Sequence, residues 1–482
     1  MSTAAPVAAR PHADRGHPAR WPALGILTLA LLLIAVDATV LGLAVPFLSA
    51  DLRPTSTQLL WIGDVYSFVI AGLLVSMGGL GDRVGRKRLL LTGTAAFGAL
   101  SVLAAYATSP GMLITARALM GVAGATLMPS TLALIRTLFP DPRERSFAIG
   151  VWGAVSTAGA ALGPIAGGIL LEHFWWGSVF LVNVPVMAAL LAVGARLLPE
   201  SRDPAPGPWD PPSVLLSLIG MIGVVYAVKQ LAVHGPGPGA AAVGLLGAAC
   251  LYAFVRRQLV LPKPLLDLRL FRHRGFSGAV LADLLTVLGL AGSVFFLSQF
   301  LQLVQGRSPL QAGLCELPAT FGGAATGLAA GAAARRWSVR AAVAGGLGAT
   351  GIALLALLAL SPGTGYLFLG AALLVVGAGV GLSFTVTADV ILSSVPPQQA
   401  GAASGVSETA YELGAALGIA LLGSVVTGIA GGPASAAPAA FTDGLRAASG
   451  AGGAVLLLAA TAAWHLLRDQ RLAGNGVSSA AR

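Results

Sequence analysis

The sequence predicts an all-α polytopic membrane protein with 14 transmembrane helices, and three observations carry that reading. The chain of 482 residues is 56% hydrophobic and only 10% charged, against about 25% charged in a soluble domain. It divides into 14 apolar runs bounded by Pro, Gly or charge clusters, each close to the ~20 residues that cross a bilayer. Lys and Arg crowd into alternate connections, the pattern that orients helices in a membrane.

In order, the runs cover 21–48, 57–80, 89–108, 111–138, 145–170, 177–198, 212–232, 239–258, 275–304, 309–335, 339–361, 363–395, 400–430 and 446–468. The even-numbered connections carry Arg83, Arg86, Lys87, Arg88, Arg136, Arg143, Arg145, Arg196, Arg202, Arg256, Arg257, Arg335, Arg336 and Arg340, whereas the opposite side has Arg53, Arg307 and Arg446. Both termini are therefore expected in the cytoplasm, as a tail over 1–20 and another over 469–482, with the chain in the cell membrane. The first run is too long for a signal peptide and lacks a cleavage site, so it is expected to remain as the first helix.

The net charge of +10 is spread over these short clusters, which argues against a nucleic-acid partner. Cys250 and Cys315 lie far apart inside apolar runs, without metal-ligand spacing, and read as packing residues. No cofactor, metal or enzymatic constellation stands out.

The segment GAAARRWSVR at 331–340 sits in the second half where GGLGDRVGRK sits in the first, with the acid lost. This weak repeat predicts a six-helix bundle over 21–198, a linker with two inserted helices over 199–270, and a second six-helix bundle over 271–468, with substrate between the bundles. The segment RDPAPGPWDPP before the seventh run reads as a joint.

The helices carry acids where a bilayer makes charge costly. Asp37 lies inside the first run, LLLIAVDATVLGLAVPFL. In WIGDVYSF, Trp61, Asp64 and Tyr66 combine a carboxylate with aromatic rings, which either attracts an organic cation or marks the interface. Arg117 is buried in the fourth run, and Asp37 is a candidate partner. Asp283, Glu316 and Asp389 are acids in apolar company, Asp283 and Asp389 being candidates to line a substrate cavity. Glu408 and Glu412, spaced i,i+4 with Tyr411 between them, fall on one helix face. Two carboxylates so close in a low dielectric do not both ionise easily, the property proton coupling needs. Such an acidic cavity with aromatic walls suits lipophilic cations.

Four segments carry a resemblance. GGLGDRVGRKRLL, from Gly78 to Leu90, places Asp82 among Arg83, Arg86 and Lys87, with Gly78 and Gly85 beside them. It fills every position of the loop signature G-x-L-x-D-R-x-G-R-K-x-x-L of the major facilitator superfamily. Asp37, Thr39, Val40, Ala44 and Pro46 match the first-helix signature of fourteen-helix drug exporters, although Gly42 replaces an asparagine. Arg117 matches an R-x-x-Q-G pattern associated with proton transfer, with Met120 in place of the glutamine. Gly159, Gly163, Pro164, Gly167 and Gly168 match the antiporter signature of proton-driven exporters.

The chain thus resembles the fourteen-helix drug:proton antiporters of the major facilitator superfamily, the quaternary-ammonium and dye exporters in particular. The resemblance implies the major facilitator fold in a 6+2+6 arrangement, working as a monomer among membrane lipids by alternating access. Its partners would be protons and small hydrophobic or cationic molecules. It implies proton coupling by Asp37, Arg117, Glu408 and Glu412, and a conformational latch at Asp82 and its neighbours. A dedicated exporter of one endogenous antibiotic, metabolite or lipid is the alternative on the same scaffold. A membrane sensor would require a signalling domain, which the short tails do not contain.

Overall fold

The computed structural model describes residues 18–204, 210–235, 237–262, 264–430 and 438–467. Among them all regular structure is helical, in 14 long helices. They are α1 (Arg20–Leu52), α2 (Ser56–Val84), α3 (Arg86–Ala105), α4 (Pro110–Leu138), α5 (Pro142–His173), α6 (Ser178–Leu197) and α7 (Pro211–His234). The chain continues through α8 (Pro238–Val260), α9 (Arg274–Gln299), α10 (Pro309–Trp337), α11 (Val339–Ala356), α12 (Tyr366–Ser393), α13 (Ala400–Ala430) and α14 (Pro438–Leu466). Each apolar run coincides with one of them. The expected tails fall almost wholly outside the described residues.

Local chemistry sets the helix ends. Thr55 and Gln58 form a reciprocal capping box at the start of α2, and Ser308 and Gln311 another at α10. Asp141 caps α5 immediately before Pro142, whose missing N–H costs nothing at a first turn. Helix α14 begins at Pro438, before the expected 446, and Asp443 and Arg446 pair one turn apart at 2.8 Å within the added turns. Helix α6 is interrupted at Val182 rather than continuous. Pro185 lacks the N–H that would bond the carbonyl of Leu181.

Among the described residues, twelve helical stretches are long and apolar enough to cross a membrane. The other two long helices are α5 and α10, which are rich in Gly and Ala and pack on each other, Gly150 lying against Gly327. Small residues let these two backbones approach closely.

Two large buried clusters divide the molecule, one drawn mainly from α1–α6 and the other from α9–α14. Helix α7 lies against α2, with Ser217 Oγ donating to the Gly72 carbonyl at 3.0 Å, and α8 packs on the outside of α7. Arg257 pairs with Asp210 at 2.8 Å and ties the ends of α7 and α8 together. The hydrogen bonds from Arg257 hold the Asp210 carboxyl below the usual carboxylate range. The start of α1 and the end of α14 share one side. Arg20 bonds Glu144 at the start of α5, and Leu466 meets Gly278 at the start of α9. We call this side the basic end.

Candidate functional site

Three groups of polar side chains occupy the interior. The first lies within the α1–α6 half. Asp37 of α1 and Arg117 of α4 form an ion pair, Nη1 to Oδ2 2.9 Å, with both side chains almost fully buried. Asn183, at the break in α6, donates Nδ2 to Asp37 Oδ1 at 2.9 Å and to Ser101 Oγ at 3.1 Å. Tyr66 lies under the guanidinium, its ring centroid 4.4 Å from Arg117 Cζ. An ion pair in this setting survives because every charge has a close partner.

Helix α5 reaches this group through its glycines. A Cβ at Gly163 would overlap Thr39 Oγ1, and one at Gly159 would press on Ala35 and the Leu32 carbonyl. Both glycines therefore let α5 lie directly on the part of α1 that carries Asp37. Gly167 is buried, whereas nothing lies within 4 Å of a Cβ at Gly168. The side chains of Pro164 and Asp64 lie outside the described residues.

The second group sits between the halves. A small cavity of about 40 Å³ is lined by Trp152 of α5, Phe384 of α12, and Glu408 and Tyr411 of α13, among others. Glu408 is 2% exposed, and neither of its carboxylate oxygens has a hydrogen-bond partner. Trp152 and Phe384 stack across the halves, centroids 6.0 Å apart and planes within 8° of parallel. Trp152 is held by its Nε1 donating to Thr131 Oγ1 at 3.1 Å, and Tyr411 packs edge-on against Phe384. Asp283 and Glu412 are the charged neighbours of Glu408. Ser407 donates to Asp283 Oδ2 at 2.8 Å, and Oδ1 of that fully buried acid has no partner.

The third group joins the halves at the basic end. Asp82 accepts the backbone N–H groups of Gly401 and Ala402, each at 2.9 Å, so its carboxylate caps the start of α13. Gly78 and Gly401 make this possible, since a Cβ on either would overlap the other's carbonyl. Arg86 bonds Asp82 Oδ1 at 2.8 Å and reaches the carbonyls of Pro397 and Gln398 at 2.6 and 3.1 Å. Arg136 donates to the Val395 carbonyl at 2.6 Å. Arg145 and Ser146 both bond Asp389, at 2.7 and 2.8 Å. The segment after α6 joins in, with Ser201 accepting from Arg86 and the Glu200 carboxylate from the Lys87 amide. Gly85 makes the turn there at φ +115°. Arg83 borders a pocket of about 370 Å³ on this side together with Asp82 and Asp203.

The residues expected from sequence thus fall into separate places. Asp37 and Arg117 meet, and Tyr66 joins them instead of the cavity. Glu408 and Tyr411 line the cavity, with Asp283 and Glu412 beside it. Asp389 is held in the ion pair with Arg145 rather than in the cavity wall. Trp61 faces α7, stacked on Tyr226 at 6.2 Å. Asn183, Trp152, Phe384, Arg145 and Arg136 were not singled out from sequence. Asn183 left one legible trace, an amide in an apolar run two residues before a proline.

A bundle in two halves that leans on glycine seams, with a small, mainly apolar cavity holding a buried acid between them, has its counterpart in sequence comparison. Residues 27–419 match the Major Facilitator Superfamily. The chain belongs to that family, and is a multi-pass membrane transporter. It is 50% identical over 417 residues to the multidrug efflux pump LfrA of Mycolicibacterium smegmatis, covering 86% of this chain and 83% of that one. It is 36% identical to the methyl viologen resistance protein SmvA of Salmonella typhimurium, over 85% and 83% of the two chains. The puromycin resistance protein pur8 of Streptomyces alboniger is 36% identical over 475 residues, 96% of this chain and 94% of that one. Among solved structures, the human organic anion transporter MFSD10 superposes with a TM-score of 0.65 at 18% identity, covering 93% of this chain and 100% of that one, which shows the shared fold.

Proposed function

We propose that this chain is a proton-coupled multidrug exporter of lipophilic, chiefly cationic compounds, working as a monomer with its basic end in the cytoplasm. The observation that carries the reading is Glu408: a buried carboxylate without a hydrogen-bond partner, facing a largely apolar cavity between the two halves that also holds the rings of Trp152, Phe384 and Tyr411. An ion left without partners in a low dielectric is costly, so the group gains from either a proton or a cation in the cavity. One site that binds either, but not both, is what antiport needs. The names of the relatives, a multidrug efflux pump and resistance proteins, support the same reading.

The contacts at the basic end describe a form closed toward the cytoplasm. In this form the cavity holds only a few waters, far below the ~300 Å³ a drug-sized ligand requires. Substrate therefore enters when the Asp82, Arg86 and Asp389 contacts part. Closure of those contacts carries it to the outside, where a proton arriving at Glu408 or Asp283 weakens the hold on the cation. The Asp37–Arg117 pair couples a proton to movement of α1 against α4 and α5. Its carboxylate exchanges arginine for a proton as the helices shift.

Ethidium transport in everted membrane vesicles under an imposed pH gradient tests this. Uptake driven by the gradient, and lost in Glu408→Gln and Asp37→Asn, is expected. Retention of full uptake in both variants would sink the coupling scheme.

A second reading, dedicated export of one compound such as an endogenous metabolite, is favoured by the match along 96% of this chain to a relative named for resistance to a single compound, puromycin. It predicts proton release on adding one neutral compound and none on adding ethidium.

A further inference from the structure

Three observations converge on the rings at the centre. Trp152 belongs to one half and Phe384 to the other, so they part whenever the halves separate on this side. Their planes are already within 8° of parallel at 6.0 Å. A flat ring inserted between them needs the planes about 7 Å apart, two van der Waals layers of ~3.5 Å, which parting of the halves supplies without rotating either side chain. The indole is fixed by Thr131, and Phe384 is backed by the edge of Tyr411. In the same cavity the Glu408 carboxylate is 98% buried with no partner on either oxygen.

We propose that Trp152 and Phe384 form a stacking slot for planar aromatic cations, with Glu408 as the counter-charge. The slot rests on the export reading above and narrows it to a substrate class. Each half contributes one wall. In the closed form the two rings stack on each other and fill the space the substrate would take. Aromatic stacking favours offset parallel rings, and the negative ring faces favour a cation between them. A tetra-alkylammonium ion has the charge but no flat face, so it gains Glu408 and the cation–π attraction of the rings without the stacking. Flatness, more than hydrophobicity, is thus what these two side chains select.

The test compares ethidium with tetrapentylammonium, using the full chain in nanodiscs for binding and in proteoliposomes for transport. The variants are Trp152→Leu and Phe384→Leu, with Trp152→Phe as the variant that keeps a ring. Loss of one stacking face is expected to weaken ethidium binding about 3–10-fold, to weaken tetrapentylammonium distinctly less, by its cation–π share alone, and to be largely rescued in Trp152→Phe. Equal weakening for both cations would overturn the slot and leave the rings a packing role. Unchanged ethidium binding in both leucine variants would overturn it as well. If the unaltered protein moves neither cation down a proton gradient, the export reading fails on its own. Selective loss of ethidium binding would then still support the slot, and absence of any ethidium binding would overturn it.

Discussion

Arg145 Nε lies 2.7 Å from Asp389 Oδ1, an ion pair that ties α5 of one half to α12 of the other at the basic end. Both side chains are at most 9% exposed, so neither charge has water to fall back on. Breaking a buried pair from one side leaves the remaining charge unpaired and costs about 3–5 kcal/mol. That energy counts only in the closed form. Asp389→Asn is therefore expected to shift the population toward the form open at the basic end. Spin labels on α5 and α12 near this pair should report longer distances in the variant. The reversed pair, Arg145→Asp with Asp389→Arg, should restore the short distance. An unchanged distance in Asp389→Asn would remove the pair from the latch.

Asn183 supplies the second partner of Asp37, and no other described side chain on α6 bonds the Asp37–Arg117 pair. A hydrogen bond to a charged group contributes about 1.5–3 kcal/mol, and ~1.4 kcal/mol corresponds to tenfold. Asn183→Leu is expected to lower gradient-driven transport about tenfold or more while the protein stays folded, because the loss falls on one carboxylate rather than on packing. Transport assays paired with thermal unfolding of the purified protein separate the two. A variant that transports normally would make Asn183 a spectator.

Which of these features the sequence discloses follows from the range of the interaction. Helix positions depend on hydropathy along the chain, so all 14 runs were legible, while the break at Val182 and the start of α14 at Pro438 were not. Asp37 and Arg117 were legible as partners because a bilayer admits so few charges that the candidates nearly choose each other. Asp389 was not, since an acid toward a helix end looks alike whether it faces substrate or the opposite half. Trp152 and Phe384 were silent for another reason. An aromatic in an apolar helix costs nothing, and only the meeting of two helices 232 positions apart in sequence, from 152 to 384, makes a slot of them.

The Asp210–Arg257 pair lies where α7 and α8 leave the bundle, and it has a pH signature. The folded carboxyl sits below its ordinary range because Arg257 donates to it. The stability it contributes is therefore complete above the unfolded carboxylate value of about 3.9, and is lost as pH falls through the lower folded value. Asp210→Asn should unfold at a lower temperature than the native chain at neutral pH, with the gap closing below about pH 4. A gap that does not narrow at all as pH falls below about 4 would assign the effect to packing of the inserted pair instead.

The contact of Gly163 with Thr39 joins the antiporter signature to the helix that carries Asp37. A methyl group at Gly163 has no room beside Thr39 Oγ1, and the Thr39 side chain is in turn held by bonds to the Ala35 and Val36 carbonyls at 3.1 and 3.2 Å. Gly163→Ala is expected to push α5 off α1, costing about 1–3 kcal/mol of overpacking and most of the transport. Thr39→Ala alone removes a hydroxyl whose bonds are internal to α1, and its effect should be small. If the clash is the cause, the double variant Gly163→Ala with Thr39→Ala recovers transport and thermal stability toward the native values. Two additive losses would instead mean that the glycine serves the backbone of α5 itself, because sites that act independently add.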